Sequence, residues 1–466
     1  MESTKNRYTL KIPLIWLILI LVTLLAGCAN FSKDGGFSQV EKITMEKSGM
    51  DIQWARSSQD RYLIDSRIDE LLSKPLAVED AVQIALLNNK ELQAEFYELG
   101  ISEADLVQAG RLPNPRFAML YGRNSGDYKI EQSFTFNIFS LLTMPRAVEI
   151  EKRRFEETQK KISVKVLRLA NETRKAYITA LAAKQSIQYM QQVKNAAEAS
   201  SELARKMAVA GNFNKLDQAR EQSFYADAAL GLARALQAKT VATERLTRFM
   251  SLWGIDVHYQ LPERLPDLPA KAEELPEIEK FAMGQRLDLQ SMKLRTEALG
   301  AQLGLTKTTR FINVLELGPA RVQEGDRGDP YKKGFEIAFE VPIFDWGAAR
   351  VGRAESIYMQ AVNQLSAAAI DARSEVRESY FRYRSSYDIA RHYRDEIVPL
   401  LKRILEENQL RYNGMLVSVF DLLAEARSQV VSVNSYIESL RDFWLAQSNM
   451  EMSLIGKPSF SESNTS

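Results

Sequence analysis

The sequence predicts a mainly helical fold, in which long antiparallel helical hairpins accompany a small β part of four strands. Three observations predict it. Helix-breaking residues are scarce, since glycine and proline number only 22 and 14 in 466 residues. The stretch from Gly347 to about Tyr412 contains only Gly352 and Pro399 as internal breakers. Alternation of apolar and polar residues over a strand length is confined to four short segments.

The long breaker-free stretches predict helices that pack side by side. At about 1.5 Å per residue, a helix from Gly347 to Tyr412 is on the order of 100 Å long. Along it, small and apolar residues recur at alternating spacings of three and four, as in the seam of supercoiled helices. These residues are Val351, Ala354, Tyr358, Ala361, Leu365, Ala368 and Ala372. A matching helix is predicted from about Arg146 to Val209.

A short turn follows each long helix. Residues 210–214 and 412–416 contain glycine and asparagine, which suit the left-handed conformation that ends a helix. The chain therefore forms two antiparallel helical hairpins, with the tips at one end and the strands at the other.

The strand predictions depend on residues that alternate between two faces. In 130–138, Phe134 and Phe136 point one way, whereas Ser133 and Thr135 point the other. For an isolated segment, the simplest interpretation is a strand in the core of a soluble sheet. The other predicted strands are 117–122, 311–318 and 335–341.

Four strands cannot close a membrane barrel, because the smallest such barrels have about 8. Three chains that contribute four strands each would supply twelve. The Phe/Ile side of each strand would then contact lipid, and the Glu/Ser/Thr/Asn side would line a lumen.

An internal repeat organises the chain. Glu91-Leu92-Gln93 opens a helix that leads to one strand pair, and Asp288-Leu289-Gln290 opens a helix that leads to the other. The predicted segments are a signal peptide (1–27), an anchor and periplasmic segment (28–75), a first repeat (76–252), a linker (253–275), a second repeat (276–456) and a tail (457–466).

The amino terminus has the pattern of an exported, lipid-anchored protein. Three basic residues precede an apolar run from Ile12 to Leu25, which is shorter than the roughly 20 residues of a spanning helix. Leu25-Ala26-Gly27-Cys28 resembles the lipobox of bacterial lipoproteins, which implies lipidation of Cys28 and cleavage before it. Ala29 after the cysteine implies export to the outer membrane. The alternative is a transmembrane anchor with an incidental cysteine.

Composition counts against several function classes. Lys plus Arg (61) nearly equals Asp plus Glu (60), so no nucleic-acid partner is expected. One cysteine and two histidines leave no intrachain disulfide and too few ligands for a Cys/His zinc site. No nucleophile–base constellation or Walker-type phosphate loop is found. We therefore expect neither an enzyme, nor a cofactor, nor a metal site.

Several segments resemble the TolC family of outer-membrane efflux ducts, and the resemblance covers about 76–456. Two segments depart from the family pattern. The second repeat has Thr308-Thr309-Arg310 where the first has a Pro-Asn-Pro corner. The first repeat has residues 141–145 where the second has the Asp345-Trp346-Gly347 turn. The segments that carry the resemblance are 76–82, 88–92, Arg111-Leu112-Pro113-Asn114-Pro115, Arg286-Leu287-Asp288-Leu289 and Val341-Pro342-Ile343-Phe344-Asp345-Trp346-Gly347.

The resemblance implies a homotrimer. Its twelve strands would form a transmembrane β-barrel among the lipids of the outer membrane, and its helices an α-barrel across the periplasm. The partners would be a periplasmic adaptor protein and an inner-membrane pump, and substrates would pass unchanged. Two alternatives remain: the outer-membrane component of a type I protein secretion system, and a lipid-anchored periplasmic coiled-coil protein without a pore.

The resemblance also implies two sets of site residues. Asp421, with Arg411 as a restraint, belongs to a periplasmic gate; the simpler alternative is that Asp421 is a solvated or helix-capping residue. The other set lies at the hairpin tips, where the simpler alternative is a plain capped turn. The tip residues expected to contact the adaptor are Gly211, Asn212, Phe213, Asn413, Gly414 and Met415.

Overall fold

The computed structural model describes residues 30–458, except Asn313 and Arg327. The predicted signal peptide and lipidation site, Cys28, therefore lie outside the described residues.

Most described residues are helical, as the sequence predicts. The helices are α1 (Phe37–Ser48), α2 (Ser58–Leu72), α3 (Val78–Asn88), α4 (Lys90–Ala109), α5 (Ile138–Val209), α6 (Lys215–Met250), α7 (Ile278–Gln285), α8 (Leu287–Thr308), α9 (Ala348–His392), α10 (Val398–Asn413) and α11 (Val419–Ser453). The strands are β1 (Arg116–Asn124), β2 (Asp127–Asn137), β3 (Leu315–Gly325) and β4 (Lys332–Phe339). A 3-10 turn covers Gly254–Val257.

The two long predicted helices are present with one modification each. Helix α5 has 72 residues and begins at Ile138 rather than near Arg146. The second long helix is divided into α9 and α10 by a π-helical segment, Tyr393–Ile397. Pro399 explains the division, because proline lacks the N–H donor and its ring collides with the carbonyl four residues earlier, which the wider turn relieves.

The four strands form one antiparallel sheet in the order β1-β2-β3-β4. Strand β3 begins at Leu315, four residues after the predicted start at Phe311, and runs on to Gly325. A Cβ atom at Gly318 would lie 1.8 Å from the main-chain oxygen of Phe134, so only glycine lets β3 approach β2 there. The sheet therefore joins the strand pairs of the two predicted repeats.

The described chain divides into two compact units. We call the first the sheet unit; it consists of the described part of Met1–Ser38 with Tyr97–Gln159 and Gln290–Ser366. The second, the helical unit, consists of Gln39–Phe96, Lys160–Leu289 and the described part of Ala367–Ser466. Each unit takes segments from both predicted repeats.

The core of the helical unit includes part of the predicted linker. Leu261, Leu265 and Leu268 are buried in it together with Phe443. The Tyr387 hydroxyl donates a 2.8 Å hydrogen bond to the carbonyl of Ala270. Residues 253–275 thus form a packed strap along the helices rather than a free connection.

Among the described residues, no helix combines the length and apolar character needed to cross a bilayer.

Candidate functional site

One face of the sheet is apolar and exposed. The register places Phe117 opposite Phe134, and residues paired across strands point to the same side. Phe335 is 73% exposed, and the other large apolar residues of this face are also at least partly exposed. We call this side the apolar face; its apolar members are Phe117, Met119, Tyr121, Ile130, Phe134, Phe136, Leu315, Leu317, Phe335, Ile337 and Phe339.

The opposite side, which we call the polar face, carries charges and mostly small residues, with Leu120 and Val322 as its larger apolar members. Thr135 donates a 3.1 Å hydrogen bond to the carboxylate of Glu316, and Arg116 lies 3.6 Å from the same carboxylate. Ser133 and Thr135 are buried, whereas Phe134 between them is exposed. The burial of these β2 residues therefore agrees with the predicted alternation, whereas β1 and β4 are exposed along almost their whole length.

Aromatic residues cluster where the strands of the sheet unit meet its helices. The rings of Phe311 and Trp346 pack edge to face with centroids 6.1 Å apart. The guanidinium of Arg310 lies 4.1 Å from the ring centre of Phe311. Phe344 is 97% exposed. Exposed tryptophan, as at Trp346, is typical of a membrane–water interface.

The two hairpin tips share one backbone conformation. Gly211 and Met415 both have left-handed φ angles, 81° and 58°. The residue after each donates its N–H to a carbonyl near the helix end: Asn212 to Met207 and Leu416 to Arg411, both at 2.9 Å. Both helices therefore end in a Schellman motif.

In the second tip, the left-handed residue is neither the glycine nor the asparagine that the sequence offered for it. Gly414 has a φ of −82°, and Met415 adopts the left-handed conformation instead. The helix continues through Asn413, so the position that must turn left-handed falls one residue after Gly414. Met415 and Leu416 are 94% and 78% exposed. Of the other predicted tip residues, Phe213 is half-buried and Gly211, Asn212, Asn413 and Gly414 are exposed.

Met415→Gly is expected to stabilise the chain by about 1 kcal/mol. The left-handed conformation costs a residue with a Cβ atom roughly 1–2 kcal/mol, and glycine avoids that cost. Part of the gain is offset because glycine gives the unfolded chain more conformational entropy. Gly211→Ala adds a Cβ atom to the left-handed residue of the first tip and should destabilise the chain by a similar amount. Urea denaturation of the detergent-solubilised chain measures both. A neutral Met415→Gly beside a destabilising Gly211→Ala would contradict the assignment of strain to Met415.

Asp421 closes the first turn of α11 as part of a capping box. Its carboxylate accepts hydrogen bonds from the Ser418 hydroxyl at 2.7 Å and the Ser418 N–H at 2.9 Å. The side-chain hydrogen bond first, and then the backbone one, lower the pKa of Asp421 below its ordinary value. The carboxylate is therefore charged at neutral pH, and its capping contribution is lost as pH falls through the lowered pKa. Asp217 occupies the same position after Asn214 in the first hairpin.

Arg411, the second predicted gate residue, is exposed at the end of α10. Its main-chain carbonyl accepts the Leu416 hydrogen bond. Within the described part of one chain, its guanidinium forms no ion pair.

A buried ion pair that the sequence did not identify links the two hairpins in the helical unit. The Glu221 carboxylate, on α6, is 2% exposed and lies 2.6 Å from the Arg427 guanidinium on α11. The Ser200 hydroxyl, on α5, donates to the same carboxylate at 2.7 Å. Arg427 also lies 4.3 Å from the ring centre of Phe224. Arg427 follows Glu221 by 206 residues, so no local spacing could have revealed the pair.

The described residues contain no group of three or more His, Cys, Asp or Glu side chains placed to hold a metal ion.

Comparisons with known proteins agree with this arrangement. Residues 81–251 match the sequence model of the family described as outer membrane efflux protein. No curated protein sequence matches the chain significantly.

Solved structures match over most of the chain. The structure of CusC, described in terms of transmembrane channel formation, is 16% identical with a TM-score of 0.68, over 81% of this chain and 92% of that one. The CmeC outer membrane channel of Campylobacter jejuni is 16% identical with a TM-score of 0.67, over 91% and 93%. The outer-membrane channel OprN is 16% identical with a TM-score of 0.68, over 92% and 97%.

At this identity the structural matches establish the fold, and the family match adds an efflux assignment over the first repeat. Together they support an outer-membrane efflux duct. The resemblance to the TolC family is therefore confirmed: residues 81–251 match the outer membrane efflux protein family, and the fold of the chain is that of outer-membrane channels such as CmeC and OprN.

Proposed function

We propose that the chain is the outer-membrane exit duct of a tripartite efflux system. It passively conducts substrates from a periplasmic adaptor and an inner-membrane pump across the periplasm and the outer membrane. The observation that carries the proposal is the sheet: four described strands with an exposed apolar face on one side and a polar face on the other.

A homotrimer would satisfy the unpaired edges of this sheet. Strands β1 and β4 lie at its edges, and each has a pairing side that no described strand covers. An open sheet edge is unstable in lipid, because its backbone N–H and C=O groups lack hydrogen-bond partners there. Twelve strands from three chains would satisfy every edge, place the apolar face against lipid and leave the polar face around a lumen.

The tips are the proposed contact with the adaptor. The apolar side chains of Met415 and Leu416 are largely exposed at the second tip. Met415 holds a conformation that a glycine would adopt at lower cost, and such local strain is often retained at functional contacts. The pump supplies the energy, in keeping with the lack of a nucleotide motif in the sequence.

The gate is proposed to lie after the second tip. Three Asp421 carboxylates around a threefold axis would repel one another and favour cations. Arg411 could pair across protomers in the closed state. The Glu221–Arg427 pair would hold the first hairpin to α11 of the second.

The lipid anchor at Cys28 remains part of the proposal. Several acyl chains, at about 0.8 kcal/mol per buried methylene, would hold the chain firmly at the outer membrane. The mass of the mature amino-terminal peptide tests it: an unmodified cysteine would refute lipidation.

Planar-bilayer recording tests the duct itself. The purified mature chain should insert as a trimer and conduct ions with a preference for cations, and Asp421→Asn should weaken that preference by removing charge at the entrance. Asp217→Asn is the matched control, because it alters the equivalent cap in the other hairpin. A chain that stays monomeric in detergent and never conducts would instead favour a coiled-coil protein without a pore.

A further inference from the structure

The charged residues of the sheet are divided unequally between its two faces. The strands contain five carboxylates, all on the polar face. They contain six cations, three on each face. The polar-face cations are Arg116, Lys129 and Lys332; we call the three on the apolar face, Arg123, Arg321 and Lys333, the basic row.

The two sets of cations differ in their partners. Each polar-face cation lies beside a carboxylate: Arg116 at 3.6 Å, Lys129 at 3.6 Å and Lys332 at 4.0 Å. The basic row has no ion pair within the described chain, and all three residues are exposed. No ion pair among the described residues therefore neutralises its positive charge.

The register sets the position of the basic row along the strands. Arg321 and Lys333 are paired with each other, next to Gln132 and Met119. Towards the helices, the rows that follow on this face are apolar, beginning with the Pro319–Phe335 pair. Arg123, opposite Tyr128, lies two rows nearer the hairpins, beyond the Tyr121–Ile130 row, so the basic row occupies the hairpin half of the apolar face.

Tyrosines accompany the basic row. The Arg321 guanidinium lies 4.7 Å from the ring centre of Tyr331, and that of Arg123 lies 5.3 Å from the ring centre of Tyr128. Arg321 also donates a 2.6 Å hydrogen bond to Gln132. Tyrosine with arginine beyond an apolar band is typical of the depth at which lipid headgroups begin.

We propose that the basic row binds the phosphate groups of lipids in the outer leaflet. This inference rests on the proposed function, because it requires the apolar face to contact lipid. An unpaired cation on a lipid-facing barrel surface costs about 2–4 kcal/mol at the bilayer midplane but only about 0–1 kcal/mol near the interfaces. This difference favours a position of the basic row at the depth of the lipid headgroups. Phosphate is the anion that lipids offer there, and the arginine fork binds it through two parallel hydrogen bonds.

A charge-matched pair of triple variants tests the proposal. The first, Arg123→Gln/Arg321→Gln/Lys333→Gln, removes the basic row. The second, Arg116→Gln/Lys129→Gln/Lys332→Gln, removes the same charge from the polar face. Each mature chain is placed in phosphatidylcholine nanodiscs that contain phosphatidic acid, and the retained phosphatidic acid is counted by native mass spectrometry.

We expect the first triple variant to retain phosphatidic acid at least about tenfold less tightly than wild type, and the second to match wild type. Equal retention by both variants, or equal loss in both, would overturn the proposal. Retention of inorganic phosphate in detergent without any preference for phosphatidic acid would also overturn it, by indicating a small-anion site.

Conductance measured in the same lipids distinguishes a failure of the proposed duct from a failure of the proposed phosphate binding. If wild type conducts and the variants retain lipid alike, the duct stands and the phosphate-binding row is refuted. If wild type neither inserts nor conducts, both are refuted.

Discussion

Arg427→Ala is expected to destabilise the chain by about 3 kcal/mol, one of the two largest effects anticipated for a single substitution. It leaves the buried Glu221 carboxylate with only the Ser200 hydroxyl as a partner. Breaking a buried ion pair costs about 3–5 kcal/mol, and the lower end applies because the Arg427 side chain is 33% exposed. Urea denaturation of the detergent-solubilised chain, followed by circular dichroism, measures the loss.

An exposed ion pair provides the control for this substitution. Arg205 lies 2.8 Å from Glu202 on α5, and both side chains are exposed. Arg205→Ala should cost far less stability than Arg427→Ala, because solvent screens such exposed pairs. Adding Glu221→Gln to Arg427→Ala should recover part of the stability, since it removes the unpaired buried charge. Equal costs for Arg427→Ala and Arg205→Ala would show that burial of Glu221 contributes nothing.

The same variant has a functional consequence if the chain is a gated duct. Loss of the Glu221–Arg427 pair would release the contact between α6 and α11. We therefore expect Arg427→Ala to raise the open fraction of single channels in planar bilayers, whereas Arg205→Ala leaves it unchanged. An unchanged open fraction in a folded Arg427→Ala trimer would show that the Glu221–Arg427 pair takes no part in gating.

Ile337→Lys is expected to prevent stable insertion of the trimer. Ile337 lies on the apolar face opposite Leu317, between the row of Phe335 and the row of Phe339. A lysine on the lipid side costs about 2–4 kcal/mol near the midplane of a barrel wall. Three copies per trimer multiply that cost, so we expect the inserted trimer to fall more than about tenfold. Vesicle flotation followed by electrophoresis of the unheated trimer measures it.

The neighbouring residue supplies a matched control. Glu336→Lys places the same side chain on the same strand, but on the polar face. Because that face would line a water-filled lumen, the variant should insert normally and shift ion preference towards anions. Normal insertion of Ile337→Lys, or equal failure of both variants, would contradict the assignment of the two faces.

Local patterns were sufficient to predict the long helices and the strands, but not the two helices within residues 37–72. The spacing of Val351, Ala354 and Tyr358 predicted a long helix, and the alternation around Phe134 predicted a strand with one apolar side. Both are present, because helix and strand periodicity depend on residues that are near one another in the sequence. Asp421 was considered both as a gate residue and as a capping residue, and its capping box is the arrangement found within one chain.

Interactions between distant segments required the structure. The pairing of β2 with β3 joins the two repeats in one sheet, and the close approach of Gly318 to Phe134 permits it. The Glu221–Arg427 pair likewise connects helices of different hairpins.

The sequence by itself determined the long helices, the four strands and the two faces of the sheet, because short-range periodicity and side-chain polarity decide them. Only the tertiary structure decided that Met415 rather than Gly414 turns left-handed, that Glu221 is buried against Arg427, and that the basic row lacks carboxylate partners. Each of these depends on where a helix ends or which strand lies alongside, and those features arise from contacts between residues far apart in the chain.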